Sequence, residues 1–410
     1  MSTTHEVVAR PTLFVDGFLE DPYAIYRQFQ SQGSIHYLQW AEGCNYWTVF
    51  SYAGVFSALK DHRLSARRAG STLLSLPESE RAQFSEFVRI LGQWLVFMDA
   101  PEHSRLRKLM NKGFAPSAIE LLRPQVEAIV DRMLEPMHRA SEAEFMSQIA
   151  HPLPVYVIAE LLGIPETWHS QLVALSEIIA KFFGKPQHTV EEVRVVQDAF
   201  FTLTEYFREL VSQRRLNKSD DLVSMLIDIE ADGEVLTEEE LLAQCVMLLF
   251  AGHETTRNLI GNGMHALLER PYEIDRLRDC PDLIRSGIEE LLRFDAPIQF
   301  SNRLVKEEME LCGVELHPGD VLMIILGAAN RDPAQFKDPD TLDLARSHNA
   351  HLSFGAGAHF CLGNQLARLE SQTAILRTLQ QFPNMRPAAQ PPARTANFSF
   401  RGFQSLPVAL

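Results

Sequence analysis

The sequence predicts one mainly α-helical domain, residues 1–410, with a minor β portion. Three observations point there. Helical periodicity runs almost without interruption from Pro116 to about Leu268. Strand patterns are short and confined to the first fifty residues and the last third. No repeat, low-complexity tract or composition shift marks a boundary, although length alone suggests two or three domains.

Asp21-Pro22 reads as an N-cap followed by proline at the first helical position, opening a helix to about Gln30. Ile35 to Leu38 and Tyr46 to Phe50 read as strands joined by a turn around Gly43-Cys-Asn45. The long helical stretch breaks near Gly163-Ile-Pro165, Gly184-Lys-Pro186 and Asp232-Gly233. Strands then fall at Leu304–Val305, Met309–Leu311 and Val321–Ile325. Pro383 to Pro392 reads as loop, and Phe398 to Leu410 as a final hairpin.

Hydrophobic residues make up 46% and charged residues 22%, the balance of an ordinary globular protein. A net charge of −15 excludes a general binder of nucleic acid or of anionic membrane. Met1 to Arg10 is polar, unlike a secretory leader. The longest apolar run, Cys245 to Ala251, is far below the roughly 20 residues that span a bilayer. Five scattered cysteines do not form a disulfide framework, so a reducing cytoplasm is the expected location.

Chemistry concentrates at Phe354-Gly-Ala-Gly-Ala-His-Phe-Cys-Leu-Gly363. Helical spacing of Leu362, Leu366, Leu369, Leu376 and Leu379 starts a helix at Cys361. A cysteine at a helix N-terminus is biased toward thiolate. Gly355, Gly357 and Gly363 would admit a flat macrocycle where a Cβ collides. The segment therefore suits a haem thiolate, with alternatives open. A single cysteine is more often a buried hydrophobe. A zinc site wants about four ligands, and His359-x-Cys361 offers two. Phe360 stands where a dinucleotide fingerprint needs glycine, and no Lys-Ser/Thr follows for a phosphate loop.

A second cluster lies in the helix from about Glu238 to Leu268. Leu241, Cys245, Leu248, Gly252, Thr255 and Leu259 share one stripe. Mid-helix glycine costs roughly 1 kcal/mol against alanine, so Gly252 calls for a reason. Two readings of Ala251-Gly-His-Glu-Thr-Thr256 stand level. Either Thr255 back-bonds to a carbonyl one turn earlier, or a locally opened helix holds O₂ and water beside Thr255 and Glu254, which relay protons. His103 and Arg107 form an i, i+4 basic pair, which taken alone reads better as a solvated basic face with Arg105, Lys108 and Lys112; Glu290 with Arg293 is an i, i+3 pair that also reads as a surface ion pair.

In order, these segments resemble the cytochrome P450 family, in its soluble bacterial branch, over nearly the whole chain. Phe354-x-x-Gly-x-His-x-Cys-x-Gly363 is similar to the haem-thiolate loop, and Ala251-Gly-x-Glu-Thr-Thr256 to the oxygen-binding groove. Glu290-x-x-Arg293 with Arg346 resembles the structural triad, and His103-x-x-x-Arg107 the helix that pairs with haem propionates. Asn330-Arg-Asp-Pro333 and His351-Leu-x-Phe354 are similar to the bacterial branch.

The resemblance implies haem b (iron protoporphyrin IX) with Cys361 as axial ligand. It implies Phe354 as the shield of the sulfur, Gly363 beside it, and His103, Arg107, Arg303 and His359 on the propionates. Glu254 and Thr255 would pass protons to bound dioxygen, and the chain would oxidise a lipophilic small molecule, with C–H hydroxylation expected. Trp94, Val96, Phe97, Met247, Phe250, Ala251, Ile298, Gln299, Phe300, Ser399 and Phe400 would line the pocket, Gln299 as an orienting hydrogen bond, beneath a lid around Phe182 to Val190. Electrons would come from a separate ferredoxin-type donor, docking on Arg105, Lys108 and Lys112, and the protein would be a monomer. A peroxide-driven peroxygenase is the first competitor, but it has no use for a proton relay. A haem-thiolate sensor is the second, and it lacks an output domain.

Overall fold

The computed structural model describes residues 11–41, 44–73, 75–185, 187–231 and 236–410. Helices pack around one of their number, Glu238–Leu268. Its 31 residues give a length of roughly 46 Å at ~1.5 Å per residue, enough to cross the molecule. It starts at a capping box. Thr237 accepts a hydrogen bond from the Glu240 amide at 3.2 Å, and the Glu240 carboxylate accepts one from the Thr237 amide at 2.9 Å. Glu238, Glu239 and Glu240 add acid where the helix dipole is positive.

Neighbours cover most of this central helix: Pro152–Leu162, His169–Phe183, Val190–Leu216, Ile284–Phe294 and Asn364–Gln381. An all-round apolar helix belongs in a core. The single stripe expected from Leu241 to Leu259 is thus too narrow a description. Gln244, Asn258 and Asn262 are buried as fully as the leucines.

A five-stranded sheet flanks the helices. Its order is Ile35–Ala41, Cys44–Val49, Val321–Ile325, Phe300–Val305, Leu64–Ser65. Trp47 pairs with Leu322 in parallel, and Phe300 pairs with Ile325 antiparallel. Most of the predicted strands lie here; Val321–Ile325 has the expected bounds and the other three are longer than the sequence suggested. Of the turn expected at 43–45, Gly43 lies outside the described residues, as do Pro186 and the Asp232-Gly233 break. Met309–Leu311 pairs with Val314–Leu316 across Cys312-Gly313, both at positive φ (53° and 79°), the geometry of a tight hairpin.

The predicted C-terminal hairpin does not form. Phe403–Ser405 pairs with Ala393–Arg394, whereas Pro407–Ala409 joins a second sheet between Glu142–Glu144 and Arg386–Pro387. Glu142–Glu144 is therefore a strand inside the stretch predicted to be nearly all helix. Its partner lies more than 250 residues away, and no local pattern announces such a pairing.

Candidate active site

The Cys361 loop is fixed by backbone geometry. Gly355 and Gly357 sit at φ of +70° and +71°, the region that favours glycine. A Cβ at Gly357 would also come within 3.0 Å of the Leu59 carbonyl. Protein backbone, rather than a macrocycle, thus accounts for these two glycines. Gly363 is different, because a Cβ there would meet nothing within 4 Å. The Cys361 amide closes the loop on the Phe354 carbonyl at 2.8 Å.

The following helix starts at Asn364, three residues after the cysteine where the leucine spacing had put it. Spacing of leucines cannot separate a helix from the turn that feeds it. The thiol is instead approached by the Gly363 N–H and by the charges of Arg107 and Arg368. Burial outweighs them and raises the thiol above its ordinary value. Cys361 lies deep, yet it retains accessible surface, so an opening adjoins it. The Arg368 guanidinium covers the Phe354 ring at 4.6 Å and also pairs with Glu289 at 2.6 Å.

Basic side chains converge beside this loop. The His103 and His359 rings are 4.2 Å apart, and Arg303 is 6% exposed. Arg303 donates to the neutral Ser301 Oγ at 3.1 Å and Asn302 carbonyl at 2.8 Å. His103 Nε2 is buried with no hydrogen-bond partner. Burial, then the charges of Arg303, His103 and Arg68, depress His359 to about 3. Burial and Arg107 lower His103. Asp99 is the acid bearing on this group, and its carboxylate already accepts from Ser65 Oγ and the Ala66 amide. Arg303, a buried guanidinium bonded to neutral groups, favours an anion, and the two neutral imidazoles beside it can donate to one. Two propionates would meet that need, with the thiol and the opening beside it, so the residues present fit haem b.

Arg68 was not legible as part of this group. It sits next to Arg67 in an ordinary basic run, yet it donates to the Val96 carbonyl and lies 4.9 Å from the Phe97 ring centroid. Arg107 shares the helix Glu102–Gly113 with His103 and lies within reach of the Cys361 charge. Arg105, expected on a free docking face, is instead paired with Glu240 of the central helix.

The central helix stays α-helical through Gly252, so the expected local opening is not there. Thr255 Oγ1 donates to the Ala251 carbonyl at 2.9 Å, the back-bond of the alternative reading. A Cβ at Gly252 would make ordinary contact with Ile158 at 3.5 Å, so packing does not explain that glycine. An opening exists nonetheless. Ala251 is exposed and Gly252 and Thr255 half-buried, in a helix otherwise buried from Leu241 to Leu268 apart from His265. Glu254 is buried and accepts from Arg257 and Asn258, each at 3.1 Å. Burial raises its carboxyl against the opposing charge of Arg257. Glu254 and Thr255 are neighbours in the chain, but each has its own partners.

Beside the exposed Ala251 stands an aromatic cluster. Phe250 lies 5.3 Å from Phe183 of the helix His169–Phe183 and 6.0 Å from Phe400. Phe97 adds to it through Phe183 at 6.2 Å, and Ile298 bridges to Phe400. Trp94 stands behind as buried support, stacked on Phe200 and Phe250. Met247 is buried with them. Phe183 and Phe200 had not been named for the pocket. Nor had Gln244, which donates to the Gln93 carbonyl and accepts from the Leu95 amide, fixing the Trp94 segment.

Two expected pocket residues belong elsewhere. Gln299 donates to Tyr23 OH and the Ala296 carbonyl and accepts from Tyr26 OH, so its amide is committed to the N-terminal helix. Phe300 packs on Trp40 at 4.7 Å, on the sheet. Glu290, Arg293 and Arg346 do meet. Glu290 accepts from Arg293 at 2.8 Å twice and from Arg346 at 3.0 Å.

Comparison with known proteins gives one family. The family model for cytochrome P450 matches residues 155–279 and 282–402. The biotin biosynthesis cytochrome P450 of Bacillus subtilis (strain 168) is 36% identical over 395 residues, covering 95% of this chain and 96% of that protein. The polyketide biosynthesis cytochrome P450 PksS of the same organism is 34% identical over 400 residues, 96% of each. The crystal structure of P450BioI with acyl carrier protein ligated to hexadec-9Z-enoic acid superposes with a TM-score of 0.89 at 35% identity, covering 96% of this chain and 99% of that one.

Proposed function

The chain belongs to the cytochrome P450 family of monooxygenases, and from that premise we propose that it hydroxylates a lipophilic small molecule, using O₂ and a separate ferredoxin-type donor. The observation that carries the cofactor's place is the buried basic cluster around His103, Arg303 and His359, next to a deep thiol with open space beside it.

When bound, haem b supplies the oxygen activation and the C–H oxidation. Cys361 would hold its iron as thiolate, and the loop hydrogen bond from the Cys361 amide to the Phe354 carbonyl keeps the loop that carries the sulfur in place. Arg107, Arg303 and Arg68 would hold the propionates by charge-assisted bonds, with His103 and His359 as further donors. Phe97, Phe183, Phe250 and Phe400 offer the substrate an apolar wall and exclude water. Glu254, its carboxyl raised by burial, holds a proton at its carboxylate oxygen, and Thr255 Oγ1 passes it inward. The phenylalanine wall favours a long or flat apolar substrate. The acyl-carrier complex of the similar protein makes a carrier-tethered acyl chain a form worth testing. The donor docks on the Cys361 side, where Phe360 is 38% exposed and Lys108 and Lys112 face solvent.

The test is the absorption spectrum of the purified protein, reduced under carbon monoxide. A strongly red-shifted Soret band is expected, and its loss in Cys361→His. A band of the histidine-ligated type in the unmodified protein would overturn the reading. Reversal of charge at Lys108 and Lys112 should raise the ferredoxin concentration needed for turnover; an unchanged requirement would refute the docking face.

A further inference from the structure

Against the Glu254 turn lies a polar cluster that neither cofactor nor substrate binding uses. Met146–Ala150 is a π-helical turn, closed by the His151 amide on the Met146 carbonyl at 2.8 Å. Such turns are rare and recur at functional sites. This one sets His151 against the central helix, its ring 5.0 Å from that of His253 and 20° from parallel. His253 is fully buried, with Nδ1 2.8 Å from Ser176 Oγ. On the outer side, His151 Nε2 is 3.2 Å from Glu177 Oε1, and the Glu177 side chain is 35% exposed. Glu177 therefore joins solvent to the cluster.

On the inner side is Glu254, the residue after His253, held by Arg257 and Asn258. His151 Nε2, Arg257 Nε and Asn258 Oδ1 are buried without an aligned hydrogen-bond partner. His151 Nε2 is close to Glu177 but out of line for a hydrogen bond. Arg257 pairs with Glu254 and its charge bears on His151, so its leftover Nε and His151 Nε2 offer partners to ordered water. The other charges facing His151 are Arg257 and Glu144.

We propose that Glu177 and His151 form the solvent end of a proton inlet to Glu254, completed by ordered water between His151 and the Arg257–Asn258 pair. It deepens the monooxygenase reading and rests on it. A proton from solvent is taken by the Glu177 carboxylate and passes to His151 Nε2. The imidazolium gives up that same Nε2 proton to water, which leaves the ring in its starting tautomer, and the water reprotonates Glu254 after it has released a proton toward Thr255. One proton enters for each one released, and nothing is oxidised. Burial and the Arg257 charge depress His151 to about 4, so its charged form is transient and passes the proton on. His151 and Glu177 touch neither substrate nor cofactor; they act through Glu254.

The test compares His151→Phe, which keeps a ring for the stack, with Glu177→Gln and Glu254→Gln in the haem-loaded enzyme. The first readout needs no turnover. In ferric enzyme moved to D₂O, the Glu254 carboxylic C=O band, identified by its absence in Glu254→Gln, should exchange about tenfold more slowly in both inlet variants. The second is the solvent isotope effect on coupled turnover, which should rise in both, with more peroxide released per electron pair. If Glu254→Gln uncouples while exchange and isotope effect stay at wild-type values in both inlet variants, the inlet is wrong and the monooxygenase reading stands. If Glu254→Gln changes nothing, Glu254 is not the acceptor: the inlet and the Glu254 relay fall, while the carbon monoxide spectrum decides the monooxygenase reading separately. Glu177 is partly exposed, so Glu177→Gln reports even if His151→Phe fails to fold.

Discussion

Glu290→Gln should destabilise the protein by about 3–5 kcal/mol, the range for breaking a buried ion pair. Glu290 is 0% exposed and accepts five hydrogen bonds: two from Arg293, one from Arg346, one from the Asp343 amide and one from Asn349. Glutamine keeps the shape but removes the charge facing two guanidiniums, and its NH₂ cannot accept. Arg293 keeps the carbonyls of Asn330, Pro339 and Thr341, which holds the loss toward the lower end of that range. The control is the adjacent residue. Glu289 also faces an arginine and a second base, Arg368 and His351, but its side chain is 26% exposed. Solvent screening should hold the cost of Glu289→Gln below that of Glu290→Gln. Urea unfolding of both variants, followed by far-UV circular dichroism and haem absorbance, measures the difference. A Glu289→Gln cost equal to or above that of Glu290→Gln would refute the claim that burial sets the scale.

Glu289 also carries a pH signature. Burial raises its carboxyl, but Arg368 and His351 outweigh burial and bring it to about 2. A carboxyl depressed in the folded state contributes stability above its unfolded value, about 4.3, and loses it as pH falls toward 2. The urea midpoint should therefore drop more steeply over that window in wild type than in Glu289→Gln; parallel curves would refute it. Arg303→Ala should weaken haem retention more than tenfold, the loss expected of one buried charge-assisted contact. Transfer of haem to apomyoglobin measures this, and wild-type transfer rates would refute it. Gly184→Ala should loosen the end of His169–Phe183, because a Cβ would reach 2.1 Å from Asn397 Nδ2, whose amide is tied to Ala180, Ser399 and Phe400. Hydrogen exchange at residues 175–184 should accelerate, and unchanged protection would show that Asn397 yields freely.

Much of the site could be read in the chain because its chemistry is local. Cys361 with its glycines, the His103–Arg107 pair and the Glu290–Arg293 pair each lie within one turn or loop, where spacing dictates proximity. Helix starts were legible for the same reason: Asp21-Pro22 is a signal written in two adjacent residues. The sequence by itself therefore determined most of the helices, the thiolate candidate and the His103–Arg107 pair beside it.

Tertiary structure decided what depends on distant partners. Gln299 looked free to meet a substrate until Tyr23 and Tyr26 took its amide from about 275 residues away. Arg105 looked like a docking charge until Glu240 paired with it. Glu142–Glu144 became a strand only when Pro407–Ala409 supplied its hydrogen bonds. Arg68 joined the basic cluster, and His151 reached His253, through contacts that no periodicity encodes. A polar side chain's role is set by the partner that satisfies it, and across such separations only the folded chain chooses that partner.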